Sequence, residues 1–124
     1  MRFMVMMIPN VYQGTNVDPN IRPDPEMLQK MGAFNEELAK AGMMLTGDGL
    51  HPRTTGARVS FVTGKPQVID GPYIETKEVL GGFWMLKANS QQEVVDWMKK
   101  CPAQQGDILE IRRVFEAEDF EEGK

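Results

Sequence analysis

Two amphipathic helices, set among short strands, constrain the fold of this chain more than any other feature. The first is predicted to start at Pro25, because Asp24 is a favoured N-cap and proline suits the first helical position. Gly42 supplies a plausible end. The apolar stripe of this helix comprises Met27, Met31, Phe34, Leu38 and Ala41. The second helix is predicted between Ser90, with Glu93 completing a capping box, and Pro102.

Short apolar or alternating segments predict the strands, at residues 2–8, 43–46, 57–63, 67–69, 79–86 and 108–115. We interpret residues 9–23 as a long loop that forms a lid or an arm, and Gly47–Asp48–Gly49 as a turn. The element order predicts an α+β, ferredoxin-like split β-α-β fold with an extra hairpin. Two helices cover only one face of its antiparallel sheet. We therefore expect a symmetric homodimer that packs sheet on sheet as an α/β barrel.

Composition excludes several classes of protein. The chain of 124 residues suffices for one domain, placed at residues 1–115, and the acidic tail 116–124 carries the whole net charge of −4. We expect the tail to be solvated and partly disordered. The neutral body offers no basic stripe for nucleic acid. The longest apolar run, Phe3 to Ile8, is too short for a membrane span or a signal peptide. One cysteine excludes an intramolecular disulfide, so a cytoplasmic location is expected.

Few residues remain that can carry chemistry. One histidine and one cysteine cannot form a zinc site of the usual kind, and no dinucleotide or phosphate-loop motif passes its context test, so no metal or cofactor is expected. Cys101 at a helix end is interpreted as a buried apolar residue. His51 can give or take a proton near neutral pH, although it can equally serve only to hydrogen-bond its own loop.

The densest unusual segment reads DGPYIETKE, from Asp70 to Glu78. Asp-Gly-Pro is a turn signal, and the charges that follow are simply solvated if the loop is exposed. Alternatively, the segment forms a polar rim over a pocket floored by Trp84. In that case Asp70 orients His51 as a catalytic pair, and Lys77 and Arg58 receive an anionic group. The candidate ligand-binding residues are Arg58, Tyr73, Glu75, Lys77, Glu78 and Trp84.

This segment, followed by GGFWML, resembles the signature of the YCII-related family in its DGPF-domain branch, with Tyr73 where the motif usually has phenylalanine. The segments NEELAKAG, GDGLHP and RRVFEAEDF also resemble the family consensus. The resemblance implies a dimeric ferredoxin-like fold with a cleft near the subunit boundary. Asp70 matches the aspartate of the motif, and His51 matches the histidine of the GLHP segment.

Functions known among such relatives differ in class. Some more distant ones are enzymes that use a His–Asp pair for elimination on a phenolic ring, with the histidine on the first helix. This chain has Met27, Met31 and Asn35 there. Other members are associated with extracytoplasmic-function sigma factors. Three hypotheses follow: a pocket for a small anionic or phenolic ligand with His51 chemistry, a non-catalytic regulatory or interaction module that uses the acidic tail, and a purely structural role for the motif.

Overall fold

The fold is described from a computed structural model, which covers residues 1–13, 18, 20–52, 55–70 and 79–121, apart from the side chain of Asp70. Its strands are β1 (Arg2–Ile8), β2 (Met44–Gly49), β3 (Ala57–Ser60), β4 (Gln67–Asp70), β5 (Gly82–Lys87) and β6 (Ile108–Arg113). Its helices are α1 (Pro25–Lys40) and α2 (Gln91–Met98). Short 3-10 helices lie at Asn10–Tyr12 and Ala117–Phe120.

Four strands form an antiparallel sheet in the order β2-β5-β1-β6, and β3 pairs with β4 in a separate two-stranded hairpin. The sheet is open, with β2 and β6 at its edges, so the described part of one chain forms no closed barrel. The α+β class, the antiparallel sheet and the extra hairpin are thereby confirmed.

Both helices pack on the same face of the sheet. Alternate strand residues point to one face, and Val5 lies opposite Trp84 in the register of β1 and β5. One buried cluster joins Phe3, Val5, Trp84 and Leu86 from these strands with Phe34 and Leu38 of α1 and Val94 and Met98 of α2. On the other face, Met4, Met6, Phe83 and Met85 are only half-buried.

The predicted helix caps are confirmed. Asp24 accepts a hydrogen bond from the backbone N–H of Glu26 at 3.0 Å, and Ser90 Oγ accepts one from Glu93 at 3.1 Å. Gly42 follows α1 with a φ of 75°, a left-handed conformation that glycine adopts without steric cost. The boundaries of α1 thus follow from local sequence.

Several predicted strand limits are wrong. Gly47–Asp48–Gly49 is not a turn but the end of β2, paired with Trp84, Phe83 and Gly82. A side chain at Gly47 would approach Met44 and Trp84 to 3.0 Å, so glycine here lets two strands lie close. β3 ends at Ser60, β5 begins only at Gly82 and β6 ends at Arg113.

The beginning of the acidic tail is attached to the sheet. Arg2 donates to Glu116 at 2.8 Å, and Arg113 donates to Asp119 at 2.6 Å. The 3-10 helix Ala117–Phe120 lies between these contacts and brings the Phe115 and Phe120 rings within 5.2 Å of each other. Residues 116–121 thus contact the sheet through these two ion pairs and remain largely exposed, as expected of a solvated tail.

Candidate functional site

The last residue of β2 and the first residue of β5 are both glycines, and they lie side by side. Gly49 pairs with Gly82, and a Cβ on Gly82 would lie 3.1 Å from the Asp48 carbonyl oxygen. Gly81, just before β5, donates its N–H to Met7 O at 2.8 Å and accepts from Leu50 N at 2.9 Å. Backbone rather than side chains thus lines this end of the sheet, which leaves space beneath α1.

That space is a cavity of about 340 Å³, which we call the tryptophan chamber. Its lining includes Met31 and Asn35 from α1, Asp48 from β2 and Trp84 from β5. The Trp84 indole N–H donates to Asn35 Oδ1 at 2.8 Å, and its ring meets Phe34 edge to face. Trp84 therefore belongs to the buried core and also lines the chamber.

A second cavity, of about 410 Å³, contains His51 in its lining, and we call it the histidine chamber. It shares Gly49 and Gly81 with the tryptophan chamber, so the two adjoin at the glycine end of the sheet. His51 is exposed, whereas the next residue, Pro52, is fully buried and accepts hydrogen bonds from the backbone and hydroxyl of Thr55. The buried proline thus holds the imidazole at the chamber surface.

The loop between β1 and α1 (residues 9–23), which we call the first loop, also lines the histidine chamber. The Tyr12 hydroxyl donates to Leu50 O at 2.7 Å, and partial burial raises the pKa of Tyr12, which keeps this donor protonated. Gln13 ties the same loop to Val79 through a pair of 3.4 Å hydrogen bonds. The loop that precedes α1 is therefore hydrogen-bonded to Leu50, just after β2, and to Val79, just before β5.

Arg22 is the chemically notable residue that sequence reasoning missed. It lines the histidine chamber, is exposed, and makes no ion pair with any carboxylate among the described residues. Arg22 matters because the chain brings it back to the end of the sheet at Gly49 and Gly81. No periodic pattern in residues 9–23 predicts that path. Asp48, which we had assigned to a turn, is likewise a chamber residue.

The other predicted site residues either lie away from the two chambers or fall outside the described part of the chain. Arg58 lies in β3 opposite Ile69 and is not among the described lining residues of either chamber. The Asp70 backbone ends β4, but its side chain lies outside the described part of the chain. The residues Tyr73, Glu75, Lys77 and Glu78, with the rest of the DGPYIETKE loop, also lie outside it. The pairing of His51 with Asp70 stays a prediction.

Cys101 is half-buried, and burial raises the pKa of its thiol to about 11, so it is not a thiolate near neutral pH. No group of three or more potential metal ligands occurs among the described residues. Neither described helix is long and apolar enough to cross a membrane.

Comparison with known proteins gives two findings. The profile of the YCII-related domain matches residues 1–118, almost the whole chain. An uncharacterised protein of Rhizobium meliloti (strain 1021) is 30% identical over 76 residues, which are 61% of this chain and 61% of that protein. The aligned region thus spans about three fifths of the relative's length.

Proposed function

The chain belongs to the YCII-related domain family, and we propose that it binds a small organic molecule in the cleft formed by the histidine and tryptophan chambers. The observation that carries this proposal is their junction at Gly49 and Gly81, which sets the single imidazole of the chain beside an open cleft. Volumes of about 340 and 410 Å³ lie in the range of small-molecule pockets.

The residues around the cleft favour proton transfer on a ligand with a negative charge. Imidazole exchanges a proton near neutral pH, which accelerates suitable reactions by about 10²–10⁴-fold. In this proposal His51 carries the proton, Asp70 orients it and Arg22 receives an anionic group such as a carboxylate or a phenolate. The proposal assigns further ligand contacts to Tyr73, Glu75, Lys77 and Glu78 of the DGPYIETKE segment, and none to Arg58, which lies away from both chambers.

The same proposal includes a homodimer. The strand order β2-β5-β1-β6, with both helices on one face, supports a ferredoxin-like arrangement. The half-buried apolar side chains of Met4, Met6, Phe83 and Met85 on the other face support sheet-on-sheet packing that closes a barrel between two copies. Analytical ultracentrifugation of Met6→Lys, compared with Val62→Lys at a fully solvated hairpin turn, tests this: only Met6→Lys should dissociate the dimer. A monomeric wild type would contradict it.

Nuclear magnetic resonance of His51 tests the binding site directly, because its imidazole signals have no counterpart in the chain. We expect carboxylates or phenols to shift these signals at fixed pH in the wild type. Arg22→Gln should weaken the response, whereas Lys40→Gln, which removes an equal charge from the far end of α1, should not. Asp70→Asn should alter the pH profile of the signals. If no compound in the panel shifts them, the proposed site is wrong; an unaltered profile in Asp70→Asn removes only the pair.

A non-catalytic interaction module is the second candidate function, and the exposed ring pair of Phe115 and Phe120 favours it. Aromatic side chains held in place by neighbouring ion pairs are suited to protein contacts. The test is binding of a purified extracytoplasmic-function sigma factor by the wild type, by Phe115→Ala/Phe120→Ala and by a chain lacking residues 116–124. Equal binding by all three would exclude the tail as the contact surface.

A further inference from the structure

A third cavity, of about 340 Å³, adjoins the histidine chamber on the side of the first loop. It lies between the 3-10 helix Asn10–Tyr12, the start of α1 and the segment after α2. Most of its lining is apolar, with Met7, Val11, Ile21, Met27, Met31 and Pro102 as the main contributors. We call it the methionine chamber.

The methionine and histidine chambers adjoin. Both are lined by Tyr12, Arg22 and Gly81, so Arg22 lies at the boundary between them. Gly81 also lines the tryptophan chamber, and therefore all three cavities meet at this one glycine. A single molecule that spans the boundary beside Arg22 would reach both an imidazole and an apolar space.

Arg22 lines both chambers, but only the methionine chamber also has carboxylates in its described lining. The described lining of the histidine chamber holds Arg22 and His51 and no carboxylate. The methionine chamber holds two carboxylates, but both serve the local backbone: Asp107 accepts from Asn10 N and Gln104 N at 2.8 Å, and Asp24 accepts from the first turn of α1. An anionic group is therefore favoured on the histidine side and disfavoured on the methionine side.

We infer that the ligand is an organic anion with an apolar body. Its charged head lies in the histidine chamber beside Arg22, and its body extends into the adjoining methionine chamber. Flexible methionine side chains adapt to an unbranched or a ring-shaped body, which fits three of them in this lining. The inference rests on the proposed function and specifies the class of its ligand.

Straight-chain carboxylates from acetate to octanoate, titrated calorimetrically, test this assignment. Each added methylene should tighten binding about fourfold, the equivalent of about 0.8 kcal/mol, until the chamber is full. The matching primary alcohols should bind more weakly than the acids, and Arg22→Gln should abolish that difference whereas Lys40→Gln should preserve it.

A pair of matched substitutions locates the apolar body. Val11 and Val62 are both exposed, but only Val11 lines the methionine chamber. Val11→Trp should narrow the chamber, so that affinity stops rising at a shorter chain than in the wild type. Val62→Trp should leave the whole series unchanged.

The outcomes separate this inference from the proposed function. Affinity that does not change with chain length, or equal behaviour of Val11→Trp and Val62→Trp, overturns the assignment of the body, even while acetate or a phenol still shifts the His51 signals. Equal affinities of acids and alcohols overturn the assignment of the head. If nothing binds and no compound shifts His51, the proposed function itself fails.

Discussion

Gly81→Ala should destabilise the protein because this position has no space for a methyl group. A Cβ there would lie 2.4 Å from Cγ and 2.7 Å from Cδ of Pro9, and 3.1 Å from Cδ2 of Tyr12. Carbon atoms in contact normally lie 3.5–4.0 Å apart, so the Pro9 ring would have to move by about 1 Å. Gly81 does not have positive φ, and thus the effect is steric rather than a strain of the backbone.

The magnitude follows from two opposing terms. Overpacking of this kind costs about 1–3 kcal/mol, and the hydrogen bonds of Gly81 to Met7 and Leu50 would be strained with it. Replacing glycine by alanine also restricts the unfolded chain, which stabilises by about 0.4–1 kcal/mol. We therefore expect a net loss of about 1–2 kcal/mol in the free energy of unfolding.

Urea denaturation measures this loss, and Gly32→Ala is the matched control. Gly32 lies within α1, and a Cβ there has no atom within 4 Å, so alanine should stabilise by about 0.8–1 kcal/mol. The two identical substitutions should thus move the urea midpoint in opposite directions at an unchanged slope. Gly81→Ala as stable as the wild type would refute the close packing of the first loop on the glycine end.

Three further predictions concern single contacts. Asn35→Leu leaves the Trp84 indole N–H without its acceptor and should lower the free energy of unfolding by about 1–2 kcal/mol, measured by urea denaturation. The loss should be smaller in a Trp84→Phe background, and an equal loss would contradict the hydrogen bond. Arg2 lowers the pKa of Glu116 from its usual 4.5, so this ion pair stabilises the fold above that pH and its contribution disappears as the pH falls through the lowered pKa. The difference in unfolding free energy between wild type and Arg2→Gln should therefore shrink in acid. A difference independent of pH would refute the ion pair's contribution. Cys101, with its pKa raised to about 11, should alkylate slowly at pH about 8 in the folded chain and rapidly in urea, as mass spectrometry will show; equal rates would contradict its burial.

Elements fixed by local chemistry were predicted correctly from sequence. The start of α1 follows from Asp24 and Pro25, and its end from Gly42, because caps and breakers act within one turn of the chain. The order of strands and helices and the fold class follow from periodicity in the same way. These signals require no knowledge of what the element packs against.

Elements decided by distant contacts were predicted incorrectly. The residues Gly47–Asp48–Gly49 have turn composition, yet they pair in β2 because glycine allows the strand to lie against Trp84. Gly81 interrupts an apolar run that reads as one strand, since its neighbour in space is Pro9, about seventy residues away in sequence. A pocket at Trp84 was predicted, but the part that Arg22 plays in the neighbouring cavity was not, because tertiary hydrogen bonds set the path of the first loop.

A purely structural role explains part of this end of the molecule but not all of it. Close packing accounts for Gly81, and backbone satisfaction accounts for the carboxylates of Asp24 and Asp107, because removing these groups would cost stability. Nothing comparable accounts for Arg22, which pairs with no described carboxylate and yet lines two adjoining cavities. In the proposed function, an anionic ligand supplies a partner for this exposed side chain. If so, Arg22→Gln should weaken anion binding while leaving the urea midpoint unchanged, the reverse of what a structural residue would show.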